Sequence, residues 1–242
     1  MDISKFIAHT LPKATTTEAD IIKLCKTAKQ YQYNSICVEG TFVKQAKQIL
    51  ENTQVKICAA IGSTDATLST KEKIVQAKNA IINGADLIEV SINLNDIKKK
   101  NYNAIYKDIE YVKEAINKTP LNICIELPLL NKNQLLIICD LCLKANINCI
   151  STSSIFLDTT ATLTAVKIIK KTVRNNIKIK AYGNINKYEM AIKFLDTGAD
   201  FIGTQSILKK DCETLQIKNS KTYREYLKSK NKNQDKFSAT NV

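Results

Sequence analysis

The fold is decided by a short segment, Asn83-Gly84-Ala85-Asp86-Leu87-Ile88-Glu89-Val90, which joins the end of a predicted helix to a buried strand. The glycine ends the helix because it adopts a left-handed backbone without strain, and an apolar, β-rich run follows at once. The same arrangement recurs at Thr197-Gly198-Ala199-Asp200-Phe201-Ile202-Gly203-Thr204. This repeat of helix, glycine and buried strand is typical of parallel sheets, whose strands are connected through helices.

Short apolar runs alternate with helical patterns along most of the chain. The predicted strands are 8–11, 35–38, 55–61, 87–92, 121–126, 149–153, 177–182 and 201–204, and the predicted helices lie near 16–31, 42–50, 70–83, 103–117, 131–145, 162–174 and 187–196. Eight strands with intervening helices predict a single (β/α)8 TIM barrel rather than an open sheet. The sequence contains no G-x-G-x-x-G or Walker A motif, so nucleotide-binding α/β folds lose support. We expect the barrel at 1–217 and a basic C-terminal helix or tail, partly disordered, at 218–242.

The composition favours a cytoplasmic protein without a membrane or nucleic-acid partner. The chain has 242 residues, 44% of them hydrophobic, and a formal net charge of +13. It shows no apolar run of about 18 residues and no secretory signal at its start. Part of the positive charge is concentrated in the 218–242 tail, and there is little arginine to bind guanine edges, so a solvated basic surface is expected.

The eight cysteines lie mostly inside apolar runs, where reduced core thiols are expected. Cys139 and Cys142 form a CxxC motif, but it falls within a helical pattern without a second cysteine pair or a nearby histidine. The spacing therefore gives little support to a metal or redox role.

Chemistry in a parallel barrel takes place at the C-terminal ends of the strands. That rule selects Thr10, Glu39, Glu89, Glu126, Ser151, Lys180 and Gly183. Glu89 and Lys180 are charges embedded among apolar strand residues, and charges facing a barrel interior are costly unless they are paired. Two interpretations stay open: a mutual salt bridge without chemistry, or a desolvated lysine whose lowered pKa makes it an amine nucleophile or general acid.

Six blocks of the chain, between about Ile3 and Leu208, resemble deoxyribose-phosphate aldolases in order and spacing. The blocks are His9-Thr10-Leu11-Pro12-Lys13-Ala14-Thr15, residues 35–43, residues 60–73 in part, residues 84–90, residues 177–183, and Phe201-Ile202-Gly203-Thr204-Gln205-Ser206. The resemblance implies a (β/α)8 barrel and a lyase that cleaves 2-deoxyribose 5-phosphate to glyceraldehyde 3-phosphate and acetaldehyde. It implies a Schiff-base lysine and no metal or other cofactor.

The catalytic strand departs from that pattern. Cys149-Ile150-Ser151-Thr152-Ser153-Ser154-Ile155-Phe156 resembles the family strand that usually reads Val-Lys-Thr-Ser-Thr-Gly-Phe, with Ser151 at the Schiff-base lysine. A serine hydroxyl cannot condense with an aldehyde to an iminium, so it supplies no electron sink. The resemblance assigns the proton-relay carboxylate to Glu89, usually an aspartate, and the second lysine of the site to Lys180.

The resemblance also places substrate-binding backbone at Gly183, Asn184, Gly203 and Ser206. Asn184 stands where the family has a second glycine, and the turn after the lysine strand reads Ile155, Phe156, Leu157 and Asp158 instead of being glycine-rich. Side chains at these positions hinder close backbone approach, and Asp158 would repel a phosphate. We therefore expect a weakened phosphate cradle.

Three functions stay open. The first is a weak or altered aldolase in which Lys180 replaces the missing amine. The second is a catalytically inactive homologue that binds a small ligand or serves as a scaffold. The third and least favoured is a basic adaptor for nucleic acid. The expected partner is a small phosphorylated sugar or aldehyde, and a homodimer is left open because no motif marks a pairing face.

Overall fold

The computed structural model of the protein describes residues 2–11, 16–62, 67–156 and 161–208. One compact unit spans Met1–Ile207, and a second spans Leu208–Val242. Apart from Leu208, the second unit lies outside the described residues, as do Leu157 and Asp158. The predictions made for the basic tail, for the 217/218 boundary and for those two residues therefore remain predictions.

Eight parallel strands alternate with helices along the described chain. The strands are β1 Ile7–Thr10, β2 Ser35–Glu39, β3 Lys56–Ile61, β4 Leu87–Ser91, β5 Leu121–Cys124, β6 Cys149–Ser151, β7 Lys178–Tyr182 and β8 Phe201–Thr204. The helices are α1 Glu18–Gln30, α2 Val43–Ile49, α3 Thr70–Ile82, α4 Leu94–Lys98, α5 Tyr102–Ala115, α6 Lys132–Lys144, α7 Leu163–Val173 and α8 Tyr188–Thr197. Among the residues described, no helix is both long and apolar enough to cross a membrane.

The strands form one closed barrel in the order β1 to β8, and β8 pairs with β1. The predicted (β/α)8 barrel is confirmed. Local signals set the ends of the helices: α1, α3 and α6 each begin with a capping box. Gly84 and Gly198 follow α3 and α8 with φ angles of 103° and 117°, in the left-handed region that favours glycine.

Two strands end two residues earlier than predicted, and one short α-helix was not predicted. The sequence pattern extended β5 to residue 126, but Glu126 adopts φ 44° and leaves the strand. The pattern extended β6 to 153, but the strand ends at Ser151. Helix α4 is only five residues long and begins where the Asn93 side chain accepts hydrogen bonds from two backbone N–H groups. Its five residues are too few for a helical period to be recognised.

The register of the strands determines which side chains share the barrel interior. Directly paired residues on neighbouring parallel strands point to the same face. Cys37 pairs with Cys58, Ala60 with Glu89, and Ser151 with both Cys124 and Lys180. The strand positions between these interior residues are apolar, for example Ile88 and Ile179, and we assign them to the helix-facing side of the barrel. The interior is therefore unusually polar and rich in thiols.

His9 links the first strand to the last. Its ring Nδ1–H donates a hydrogen bond to the Thr204 carbonyl at 3.2 Å, and the side chain is buried. Burial lowers the pKa of His9 from 6.5 to about 4, although the bond to Thr204 alone would raise it. The native barrel therefore holds His9 as the neutral imidazole above about pH 4.

The single histidine should make barrel stability depend on pH. Between pH 6.5 and about 4 the unfolded chain binds a proton that native His9 does not. The free energy of unfolding should therefore fall as the pH is lowered through that window, by about 3 kcal/mol in total. His9→Gln should remove this part of the slope in urea unfolding measured at pH 7, 5.5 and 4. A wild-type-minus-variant difference that does not change with pH would contradict a buried, neutral His9.

Candidate active site in the barrel interior

Glu89 on β4 and Lys180 on β7 form a buried ion pair in the barrel interior. The Lys180 ammonium donates to Oε2 of Glu89, and both residues are at most 4% exposed. The other carboxylate oxygen, Oε1, lies 3.8 Å from Sγ of Cys37. Of the two interpretations left open by the sequence, the salt bridge is the one found.

The pair keeps Lys180 charged. Burial by itself lowers the pKa of Lys180, but the Glu89 carboxylate and then the surrounding cysteines outweigh burial and raise that pKa well above its usual value. The lowered Lys180 pKa of the second open interpretation is not found, because the opposite charge lies in direct contact with the ammonium. At neutral pH the amine has no lone pair for attack on a carbonyl.

Ser151 lies on β6 beside Lys180, and its side chain is fully buried. Its hydroxyl donates a 2.9 Å hydrogen bond to the Ser153 carbonyl. Glu89, Ser151 and Lys180, which were among the residues selected from strand-end positions, therefore all face the barrel interior, as the alternation of strand side chains implies. Ser151 directs its only proton towards its own chain.

The segment that follows β6 is fixed to its neighbours. The Thr152 hydroxyl accepts from the Tyr182 N–H at 3.0 Å and is 3.1 Å from the Tyr182 carbonyl. The buried Glu126 carboxylate accepts from the Ser154 N–H at 3.1 Å. These bonds hold the chain from 151 to 154 against β5 and β7, and they position Phe156 at the barrel mouth.

Two aromatic side chains, Tyr182 and Phe156, close the interior; we refer to them as the aromatic plug. They pack in one buried cluster with Cys37, Cys58, Ala60 and Ile155. Tyr182 follows Lys180 by two positions, so it shares the same strand face about 6.6 Å nearer the mouth. Phe156 packs so tightly on Gly62 that an added Cβ there would lie 2.7 Å from its ring. The plug therefore covers the ion pair.

Polar groups remain near the aromatic plug. The hydroxyls of Ser91 and Ser153 are buried and find no hydrogen-bond partner within the described parts of the chain. An added Cβ on Gly62 would lie 3.2 Å from the Ser91 hydroxyl, so this group lies close to Phe156. Buried hydroxyls are normally satisfied, so these two are exceptions among the described residues.

A separate cavity of about 430 Å³ opens beside the barrel mouth. Its lining residues are Tyr182, Asn184, Ile185, Asn186, Gly203, Thr204, Gln205 and Ser206. Three of the four predicted substrate-binding residues line it, and the fourth, Gly183, shapes the adjoining turn with φ 112°. Asn184 keeps a left-handed backbone, with φ 50°, at the position of the expected glycine. The turn geometry therefore persists with amide side chains added.

The sequence interpretation missed the aromatic plug and the paired thiols. The sequence pattern places Tyr182 in a strand, and its distance of two positions from Lys180 puts it on the interior face. The apolar runs around Cys37 and Cys58 predict ordinary core thiols. Their direct pairing on adjacent strands depends on the register, which the sequence alone leaves unspecified.

Comparison with known proteins agrees with this barrel. A deoxyribose-phosphate aldolase of Finegoldia magna is 36% identical over 209 residues, covering 86% of this chain and 98% of the relative. One of Clostridioides difficile is 37% identical over 207 residues, covering 86% and 94%. The chain belongs to the deoxyribose-phosphate aldolase family. No family model matches the chain.

Solved structures show the same relationship. The structure described as "QR15, an Aldolase" superimposes with a TM-score of 0.80 at 27% identity, covering 85% of this chain and 92% of the other. A tetrameric deoxyribose phosphate aldolase of Aeropyrum pernix gives 0.75 at 22% identity, covering 84% and 86%, and is evidence for the fold alone. The aldolase barrel frame is thus retained.

Breaking the ion pair from one side should strongly destabilise this aldolase barrel. Lys180→Met leaves the Glu89 carboxylate buried without its cation, which should lower the free energy of unfolding by about 3–5 kcal/mol. Lys180→Met combined with Glu89→Gln removes both charges and should recover most of that loss. Urea unfolding at pH 7 measures both effects.

Lys178→Met is the matched control, because Lys178 lies on the same strand but is exposed. It should change stability by less than about 1 kcal/mol. A loss below 1 kcal/mol for Lys180→Met, or a double variant no better than the single one, would show that the pair is not a buried, coupled unit.

Proposed function

We propose that this chain is a deoxyribose-phosphate aldolase homologue that has lost efficient aldol cleavage and retains a site for a small phosphorylated sugar or aldehyde. The observation that carries the proposal is the ion pair of Lys180 with Glu89. Lys180 and Lys73 are the buried lysines of the described chain, and Lys73 pairs with Asp108 between α3 and α5. The barrel interior therefore offers no second amine within the described residues.

Aldol cleavage by this family requires a neutral amine, because its lone pair attacks the carbonyl and loss of water then gives the iminium electron sink. The family resemblance puts that amine at the position of Ser151. A serine can add to an aldehyde only as a hemiacetal, which cannot accept the electron pair of a breaking carbon–carbon bond. Lys180 could attack only after losing its proton and separating from Glu89.

Access to the interior is a second obstacle. Tyr182 occupies a position where the family strand has serine, and Ile155 occupies one where it has glycine. Both side chains belong to the buried cluster over the ion pair. A sugar phosphate that reached from the loops to Lys180 would have to displace the aromatic plug. This displacement is unfavourable because the plug would lose its buried apolar contacts.

Ligand binding has better support than cleavage. The cavity after β7 and β8 is polar, and its backbone keeps the left-handed turn at 183–184. Helix α8 begins at Tyr188, close to the lining residues Ile185 and Asn186, and the N-terminal end of a helix dipole favours anions. Because the relatives are named for a phosphorylated deoxyribose, we assign a small phosphorylated sugar or aldehyde to this cavity.

A weak aldolase that uses Lys180 is the second candidate. The hydrogen bond between Lys180 and Glu89 supports this candidate, because a carboxylate that is bonded to an ammonium group can accept its proton. A homodimer remains our expectation for this chain. A nucleic-acid partner and a membrane partner remain unexpected.

Imine trapping tests the proposal directly. The purified chain should give no borohydride-stable adduct with deoxyribose 5-phosphate at pH 7.5, and its cleavage rate in a coupled assay should be at least about a thousandfold below that of the Finegoldia magna aldolase. This ratio corresponds to about 4 kcal/mol of lost transition-state stabilisation. Peptide mass mapping of an adduct at Lys180, together with ordinary family rates, would establish the second candidate instead.

Restoring the nucleophile should succeed only when space is restored too. A lysine at 151 would lie beside the Lys180 ammonium on the neighbouring strand, and the repulsion would lower the pKa of the new amine. Ser151→Lys alone should trap acetaldehyde weakly, because the plug leaves little room, and should saturate poorly with the sugar phosphate. Ser151→Lys with Tyr182→Ser should trap at least about ten times faster.

Tyr182→Ser alone is the matched control and should form no imine. Peptide mapping should place the adduct of the double variant at position 151. Equal trapping by Ser151→Lys with and without Tyr182→Ser would show that the plug does not limit access. Near-normal sugar-phosphate affinity in Ser151→Lys, measured by calorimetry, would show an intact phosphate cradle.

A further inference from the structure

We infer that the barrel interior contains a zinc-type metal site formed by the thiols of Cys37 and Cys58 and the carboxylate of Glu89. The three donors come from β2, β3 and β4, and they lie on three consecutive strands of one closed sheet. Two sulfur donors and one oxygen donor form a set that Zn²⁺ binds and that Mg²⁺ and Ca²⁺ do not favour.

The distances suit a single ion. The two sulfurs and a carboxylate oxygen all lie within 4.8 Å of one another, and Cys37 Sγ is 3.8 Å from Oε1 of Glu89. With bonds of about 2.3 Å to sulfur and 2.1 Å to oxygen, a tetrahedral ion needs separations of about 3.6–3.8 Å. Each donor atom therefore has to move by less than about 1 Å, through rotation of its side chain, to reach these separations.

The surroundings balance the charge of the ion. Two thiols that lose their protons contribute two negative charges, and Glu89 and Lys180 contribute one of each sign. A divalent cation then leaves the buried group neutral, as it is when both thiols are protonated. Neutrality matters because an uncompensated charge in a closed barrel is expensive. The two protons leave with solvent when the ion binds.

Lys180 supports the site from the second coordination shell. The ion uses the Oε1 side of Glu89, and the ammonium keeps its bond to Oε2. Such a bond fixes the orientation of a ligating carboxylate. Cys124 on β5 also contacts Glu89, and its thiol keeps its proton because it donates to the Ser153 carbonyl 3.5 Å away. The aromatic plug then shields the ion from bulk water.

The test uses the full chain, reduced and freed of metal by chelation. Refolding with Co²⁺ should give a near-ultraviolet thiolate-to-cobalt charge-transfer band that saturates at one equivalent, and Zn²⁺ should displace it. Adding Zn²⁺ during refolding should also raise the urea midpoint, because an ion that binds only the native state stabilises that state. Because the metal ion is added during refolding, it does not have to pass through the closed aromatic plug.

Cys58→Ser is the decisive variant, and Cys25→Ser is its control, a buried thiol on α1 with a raised pKa caused by burial. Cys58→Ser should weaken Co²⁺ binding at least about tenfold and lose the zinc-dependent rise in the urea midpoint, whereas Cys25→Ser should keep both. A Cys139→Ser/Cys142→Ser variant should also keep both, which excludes the CxxC motif as the metal site.

Circular dichroism checks that each variant is folded before titration. If Cys58→Ser does not fold, the double variant Glu89→Gln with Lys180→Met replaces it. This double variant lacks one oxygen donor and should bind Co²⁺ more weakly in the same assay. Absence of a charge-transfer band in the refolded wild-type chain, or an unchanged band in Cys58→Ser, would overturn the inference.

Discussion

The ion pair between Glu89 and Lys180 constrains everything else in the barrel interior. Each charge is buried so fully that it is stable only beside the other. The pair joins β4 to β7 across the interior, and it lies below a cluster of apolar and aromatic side chains. A charged pair and an apolar cover are compatible because the pair is neutral as a unit and needs no solvent.

The frame and the interior depend on different interactions. The frame is set by capping boxes, glycine turns and alternating apolar strand residues, all of which are local or repeated many times. Any one of them can change without loss of the barrel. The interior chemistry depends on a few side chains, among them Ser151, Tyr182 and Lys180. The chain shares 36–37% identity with two aldolases, and the family resemblance implies that it departs from the family at the position of the Schiff-base lysine.

The same division explains what the sequence could predict. The eight strands and the barrel follow from periodicity, and the convergence of Glu89, Ser151 and Lys180 follows from strand-end positions. The direction of the Lys180 pKa shift stayed open in the sequence because it depends on whether burial or a contact with a carboxylate dominates, and that contact is tertiary. Tyr182 and the Cys37–Cys58 pairing were missed because they depend on side-chain facing and register. Helix α4 was too short to produce a periodic signal.

Electroneutrality links the missing lysine to the charged one. In the family pattern one carboxylate is surrounded by two lysines, and a buried group of this kind is neutral when one of the two amines has lost its proton. That neutral amine is the nucleophile the reaction needs. With Ser151 in place, one carboxylate faces one lysine, and the group is neutral only when Lys180 is charged. If Ser151 stands at the Schiff-base lysine, as the resemblance implies, the substitution removes the amine that would have lost its proton and leaves Lys180 as the charged partner of Glu89.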